Sequence, residues 1–383
     1  MLFWITLLGF SLLCYALCAN QSKLETNTVG IVGKNNKTNW FIVFVFAAVL
    51  TVFCGLRSGI GDTGYYMYRF SEYKLYAIKD LPNLDMPKEK GFGILMILIG
   101  QITDSEQVFL FIVAAFTIGL MIISIYRYSE DIGMSLFLLY ATGIYLGTMN
   151  GLRQYIVVAV LFFATKYIVD NKPVRYIILV LLMSTIHTSA LFMLPVFFFA
   201  RKKVWNASTV LYIAGVLFLV ANFSSVLQNS EIFLENTVYD SYIENLKNDT
   251  ESGANILRVL VMLVPPTLSF VYRKRVDRDD IYYRVYSNIM LLNAFIYLFA
   301  SYNWLFARFA MYTNIYSVLF YPYILKKALR ASSKKMIKAA MIALFCLFLL
   351  FEVRTTPYVS YYLDINKELI GPLIRTYYSI IHQ

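Results

Sequence analysis

Arginine at the edge of hydrocarbon is costly unless it is paired, wetted or bound to something, so arginines embedded in apolar runs are the first residues to weigh. Arg57 closes one such run and opens "GLRSGIGD", where glycines permit close backbone approach to an anion. Arg153, in "TMNGLRQYIV", stands at an expected helix start behind Asn150 and Gly151, with no acidic residue nearby in sequence. An anion there would meet both the helix dipole and the guanidinium. Arg308, in "YNWLFARFAMYTNIY", shares a helical face with Trp304, Tyr312 and Tyr316 by i, i+4 spacing, a pattern for a sugar-stacking wall with a phosphate clamp or for an interfacial aromatic belt. Arg258, just inside a later apolar run, is a weaker fourth. The bland reading of each is a side chain snorkelling to the membrane surface.

His187 lies within the polar break "STIHTS" of an otherwise apolar stretch, beside Thr185, Thr188 and Ser189. An imidazole there suits proton transfer near neutral pH, against the ordinary role of a hydrogen-bonded packing residue. Asp62 and Glu89 are carboxylates available to the arginines, to sugar hydroxyls or to base catalysis, against a turn Asp and a solvated Glu. Tyr65 and Tyr66 add rings beside Asp62. Together these types suit holding a phosphate-bearing lipid and a sugar. No Walker A sequence, H-E-x-x-H, G-x-S-x-G or Cys/His metal spacing is present, and "DRDD" at 277–280 sits in an arginine-rich loop, so no metal or cofactor is expected. The four cysteines (Cys14, Cys18, Cys54, Cys346) lie in or beside apolar runs and read as packing residues.

The elements that must position these groups are membrane spans. A hydrophobic fraction of 59%, a charged fraction of 15% and a mean hydropathy of +0.61 exclude an ordinary soluble protein. Apolar runs near 2–19, 40–56, 107–126, 132–150, 153–169, 207–222, 254–272, 285–302, 308–326 and 338–353 predict an all-α, polytopic helical bundle of about 10–12 spans plus re-entrant half-helices. The first run lacks a basic leader and reads as an uncleaved span. The chain reads as one transmembrane domain, 1–383, with outer loops 57–90 and 223–253.

The net charge of +11 falls in clusters at 201–203, 273–284 and 326–338, a positive-inside pattern whose partner is anionic membrane lipid and not nucleic acid. Residues 91–103 are short for a span, and 174–200 are long and broken. A re-entrant hairpin over 174–200 with "TIHTS" at its tip, and a half-element over 91–103, would bring the 57–90 loop, Arg153, His187 and Arg308 to the outer face. Twelve plain spans would instead separate Arg57 from Arg153.

Taken in order, "GLRSGIGDTGYYMYRF", "KEKGFGIL", "NGLRQYIVVAVLFFATKYI" and "STIHTSALFMLPVFFF" resemble the EpsG family of polysaccharide polymerases, related in role to the Wzy O-antigen and capsule polymerases. The resemblance covers roughly residues 40 to 330. It implies a metal-independent glycosyltransferase of the bacterial cytoplasmic (inner) membrane, with a GT-C-like helical fold. Such enzymes polymerise undecaprenyl-diphosphate-linked repeat units at the outer face into O-antigen, capsule or exopolysaccharide, with a flippase and a chain-length regulator as partners. The diphosphate leaving group supplies the energy. Arg57, Arg153 and Arg308 would stabilise its charge, with Arg258, Trp304, Tyr312, Tyr65 and Tyr66 beside the substrate. His187, Asp62 or Glu89 would orient or deprotonate the acceptor hydroxyl.

Other readings compete. A lipid-linked oligosaccharide flippase or transporter would also need arginines in a membrane cavity, although no paired inverted repeat is visible. An O-antigen ligase would use the same groups on a different acceptor. A membrane acyltransferase would use the histidine but leave the two "GLR" motifs unexplained.

Overall fold

The computed structural model describes residues 2–28, 40–57, 59–83, 89–221, 253–303 and 306–355. Apart from Gly253, the expected outer loop 223–253 lies outside the described residues from 222 on, as do Trp304 and the C-terminal tail. The described elements are all helical. In chain order they are α1 (Leu2–Thr28), α2 (Trp40–Gly55), α3 (Thr63–Tyr73), α4 (Lys90–Gly100), α5 (Glu106–Tyr128), α6 (Ile132–Ala141), α7 (Ile144–Gly147), α8 (Leu152–Phe163) and α9 (Thr165–Val169). There follow α10 (Pro173–Ser184), α11 (Met193–Ala200), α12 (Ala207–Ala221), α13 (Ile256–Tyr272), α14 (Ile281–Ala300), α15 (Ala307–Asn314), α16 (Ser317–Lys327) and α17 (Ala331–Thr355). Short 3-10 turns cover Ile78–Asn83 and Thr188–Phe192.

Among the described residues only two helices, within Glu106–Tyr128 and Ser332–Arg354, are long and apolar enough to cross a membrane unaided. Shorter apolar helices make up most of the bundle, and the continuous spans expected at 132–150, 153–169 and 308–326 are each interrupted. The interruptions have local causes. Gly143 adopts φ +78 between α6 and α7, a conformation that glycine takes without strain. Between α8 and α9 the Thr165 hydroxyl turns back on the Phe162 carbonyl at 2.6 Å and also meets the Tyr316 hydroxyl at 2.9 Å. Such breaks are tolerated in a membrane bundle where neighbouring helices cover the backbone, and α6, α8 and α16 are almost wholly buried.

The basic clusters gather at one end. Lys203 pairs with Asp279 at 2.8 Å, Tyr323 donates to Asp280 at 2.8 Å and Lys326 pairs with Glu130 at 2.8 Å. Lys338 also pairs with Asp131 there. The 174–200 stretch is a helical hairpin. Both its ends lie together, because Arg201 donates to the carbonyls of Ile168 and, at 2.9 Å, Val169. Its tip is carried to the opposite level, where α3, α4 and the start of α8 meet it.

Candidate functional site

The hairpin tip is polar because the helix must end there. Ser184 and Thr185 hydroxyls bond back to the Leu181 and Leu182 carbonyls, each at 2.7 Å, and His187 takes an extended conformation before the 3-10 turn. Against this tip lies the start of α4. The Gly91 amide donates to the Thr185 carbonyl at 2.9 Å, and a Cβ on Gly91 would come within 2.2 Å of Thr185 Oγ1. Only glycine lets the two segments approach so closely.

That contact sets Glu89, the residue just before α4, beside His187. Glu89 Oε1 accepts from His187 Nδ1 at 2.7 Å and from the Thr188 amide at 2.9 Å, while Oε2 pairs with Arg153 at the start of α8. Arg153 Nε also donates to the Tyr66 hydroxyl at 3.3 Å, and its guanidinium carbon lies 5.8 Å from the ring centres of both Tyr66 and Phe92. Three segments far apart in sequence thus converge on one carboxylate. The Glu89, His187 and Arg153 side chains keep 15%, 22% and 31% of their surface exposed, so the cluster is sheltered yet reachable.

Burial alone would raise the Glu89 pKa, but the hydrogen bonds from His187 and the Thr188 amide, with the charge of Arg153, outweigh it and hold the carboxyl below its ordinary range. An ionised carboxylate only accepts, so His187 Nδ1 must donate. The lone pair of a neutral ring is then on Nε2, away from Glu89.

Neighbouring contacts hold the cluster. Ser189 and Tyr312 hydroxyls meet at 2.9 Å, and Gln154 donates to the Arg308 carbonyl at 2.6 Å, tying α15 to α8 and to the tip. Arg308 is exposed, whereas Tyr312 and Tyr316 are buried. The expected aromatic wall on the Arg308 face is therefore not formed by these tyrosines; their hydroxyls bond inward to Ser189 and Thr165 instead.

Arg57 also departs from expectation. It is only 1% exposed, and its guanidinium donates to Thr63 Oγ1 at 3.0 Å and to the Cys54 carbonyl at 2.6 Å, with Cys54 Sγ at 3.1 Å. It fastens the end of α2 to the start of α3. Asp62 precedes α3, exposed and without a side-chain capping bond. Tyr65 is exposed and Tyr66 buried. Gly61, at φ +52, packs where a Cβ would strike Asn150, which brings the Arg57 turn beside the Arg153 segment.

The family profile that matches this chain is that of the EpsG family, over residues 39–364. The chain belongs to the EpsG family. A search of curated proteins and one of solved structures returned no match. Family membership and the apolar helices together support a membrane protein like the polysaccharide polymerases, and the family is associated with glycosyltransferase-like activity.

Away from the cluster, Arg258 pairs with Glu352 of α17 through Nε and Oε1 at 2.9 Å and through Nη2 and Oε2. Sequence reasoning passed over Glu352, although an acidic residue inside the apolar run "LFCLFLLFEVR" is itself a signal of a buried partner. It also passed over Gln154, whose contact depends on a fold no local motif announces. Among the described residues no group of three or more His, Cys, Asp and Glu side chains is placed to hold a metal ion.

Proposed function

We propose that this protein transfers a growing glycan from an undecaprenyl-diphosphate carrier to a hydroxyl of an incoming lipid-linked repeat unit, at the outer face of the bacterial cytoplasmic membrane. The observation that carries the reading is the convergence of His187 and Arg153 on the Glu89 carboxylate. His187 Nε2 takes the proton of the acceptor hydroxyl as that oxygen attacks the anomeric carbon, and Glu89 holds the ring in the required tautomer and stabilises the imidazolium. The bond from the anomeric carbon to the diphosphate oxygen breaks, and the diphosphate leaves with the electron pair. Arg153 holds Glu89 ionised beside His187, and the exposed Arg308 supplies positive charge for the developing anion. Arg57, being buried, serves the scaffold.

A strain lacking the gene, complemented with wild type, Arg153→Ala or His187→Ala at equal membrane levels, tests this. Deletion is expected to reduce the glycan ladder to single units, and neither variant to restore it. If deletion instead trapped lipid-linked units on the cytoplasmic side, the protein would be a flippase. Loss of glycan attachment to its final acceptor, with polymer length intact, would make it a ligase.

A further inference from the structure

A cavity of about 190 Å³ lies on the other flank of the segment that carries Arg153. Asn150 and Tyr155, on either side of Arg153, line it, together with Asn314 of α15 and the Arg258–Glu352 pair. At roughly 30 Å³ per water, that volume equals about six waters, or the room taken by a single sugar ring with its hydroxyls.

The lining selects among ligands. Arg258 and Glu352 face each other through two parallel contacts, so the guanidinium charge is already matched where the cavity is most polar. A phosphate entering there would meet the Glu352 carboxylate. Asn314 Oδ1 is buried and has no hydrogen-bond partner, so it calls for a donor. Asn150 offers both an acceptor and a donor, while Trp4, Tyr155 and Met311 present apolar faces. Hydrogen-bonding groups of both signs, no net charge and flat apolar walls fit a neutral polyhydroxylated ring better than an anion or a prenyl chain.

We infer that this cavity binds a neutral sugar residue of the lipid-linked substrate, with Asn314 Oδ1 accepting from one of its hydroxyls and the Arg258–Glu352 pair bonding others. The role within the substrate rests on the glycan-transfer reading above; the affinity for a neutral sugar does not. Asn150, Tyr155 and Arg153 share one short segment, so a unit spanning the cavity and the His187 cluster has its ring held on one flank and its reacting end on the other. Gln154 couples the two by fixing α15, which supplies Asn314, to the start of α8.

The test is saturation-transfer NMR on the full chain in detergent, with methyl glycosides of glucose, galactose and N-acetylglucosamine as probes. Transfer to at least one glycoside is expected, with affinity reduced about five- to tenfold in Asn314→Leu, the worth of one neutral hydrogen bond. Ala307→Leu, which narrows the cavity without touching its polar groups, decides the matter if Asn314→Leu does not fold. Farnesyl diphosphate, which has no sugar, is expected not to displace the glycoside, whereas a farnesyl-diphosphate-linked monosaccharide displaces it at lower concentration than free sugar does. The inference is overturned by absence of transfer to every glycoside, by equal binding in the folded variants, or by displacement with farnesyl diphosphate. Equal displacement by free and lipid-linked sugar would overturn the site's place in the transfer reaction. Repeating the titration in His187→Ala separates the proposals: binding that persists there stands even if the glycan ladder shows the transfer reading to be wrong.

Discussion

Glu89→Gln tests the cluster most directly because it keeps shape and removes charge. The amide oxygen can still accept from the Thr188 amide, 2.9 Å from Oε1, and from His187 as a neutral acceptor, while the amide NH2 replaces Oε2 and cannot accept from Arg153. A hydrogen bond to a charged partner contributes about 1.5–3 kcal/mol and a neutral one about 0.5–1.5, so each exchange loses roughly 1 kcal/mol. Two such contacts, to His187 and Arg153, give about 2 kcal/mol, or roughly a 30-fold slower transfer. His187→Ala should cost more, about 10²–10⁴-fold, because it removes the base itself. The assay is the rate of lipid-linked unit consumption in proteoliposomes, with size-exclusion profiles confirming that each variant is folded. The double variant decides whether the pair acts as a unit. Without His187 there is no imidazolium for Glu89 to stabilise, so adding Glu89→Gln to His187→Ala should slow transfer by no more than the Arg153 share, roughly fivefold. A Glu89→Gln enzyme within threefold of wild type, or single losses that multiply in full, would refute the dyad.

Other outcomes follow from the same contacts. Gly91→Ala forces a Cβ to within 2.2 Å of Thr185 Oγ1 and 2.8 Å of the Thr185 carbonyl carbon, so α4 must retreat from the hairpin tip; a stability loss of about 1–3 kcal/mol by thermal melting and a larger fall in transfer are expected. Arg258→Ala leaves Glu352 as an unmatched, largely buried charge, which should lower stability by about 2 kcal/mol after allowance for partial exposure, with Arg258→Ala/Glu352→Ala recovering part of that loss. Acid stability should carry the signature of Glu89. Its folded pKa is below the ordinary value of 4.5, so its contribution is fully present above that value and disappears as pH falls through the lower folded one. Glu89→Gln should flatten the acid limb of the melting-temperature profile, and an unchanged limb would contradict the assignment.

The sequence carried the helical class through hydropathy, and it carried the common location of the basic clusters through charge, since both signals are local and additive along the chain. The hairpin at 174–200 was legible for a related reason: an apolar run too long for one span, with "STIHTS" at its centre, has few other ways to satisfy its backbone. The breaks in the other spans were not legible, because glycine and threonine are common inside continuous helices; the positive φ of Gly143 and the Thr165 hydroxyl, which donates to the Phe162 carbonyl and accepts from Tyr316, belong to the folded structure. Arg57 shows the same limit from the opposite side. Its place beside glycines and a carboxylate is what an anion site would also display, and only the three-dimensional turn reveals that the Cys54 carbonyl and Thr63 satisfy it.

Arg153 combines both lessons. No acid lies near it in sequence, and that absence suggested a charge reserved for substrate, yet the start of α4 delivers Glu89 to it across the fold. The pairing changes the chemistry expected of the residue. An arginine already matched by a carboxylate is a weaker phosphate clamp than a solitary one, and a better device for holding that carboxylate ionised beside His187. Arg153→Lys distinguishes these roles. A lysine retains the charge but not the fork that reaches both Glu89 and the Tyr66 hydroxyl. If Arg153 mainly positions Glu89, the variant should lower kcat and leave KM for the lipid-linked unit nearly unchanged. A rise in KM with kcat intact would return Arg153 to direct diphosphate binding and leave the orientation of Glu89 to the Thr188 amide.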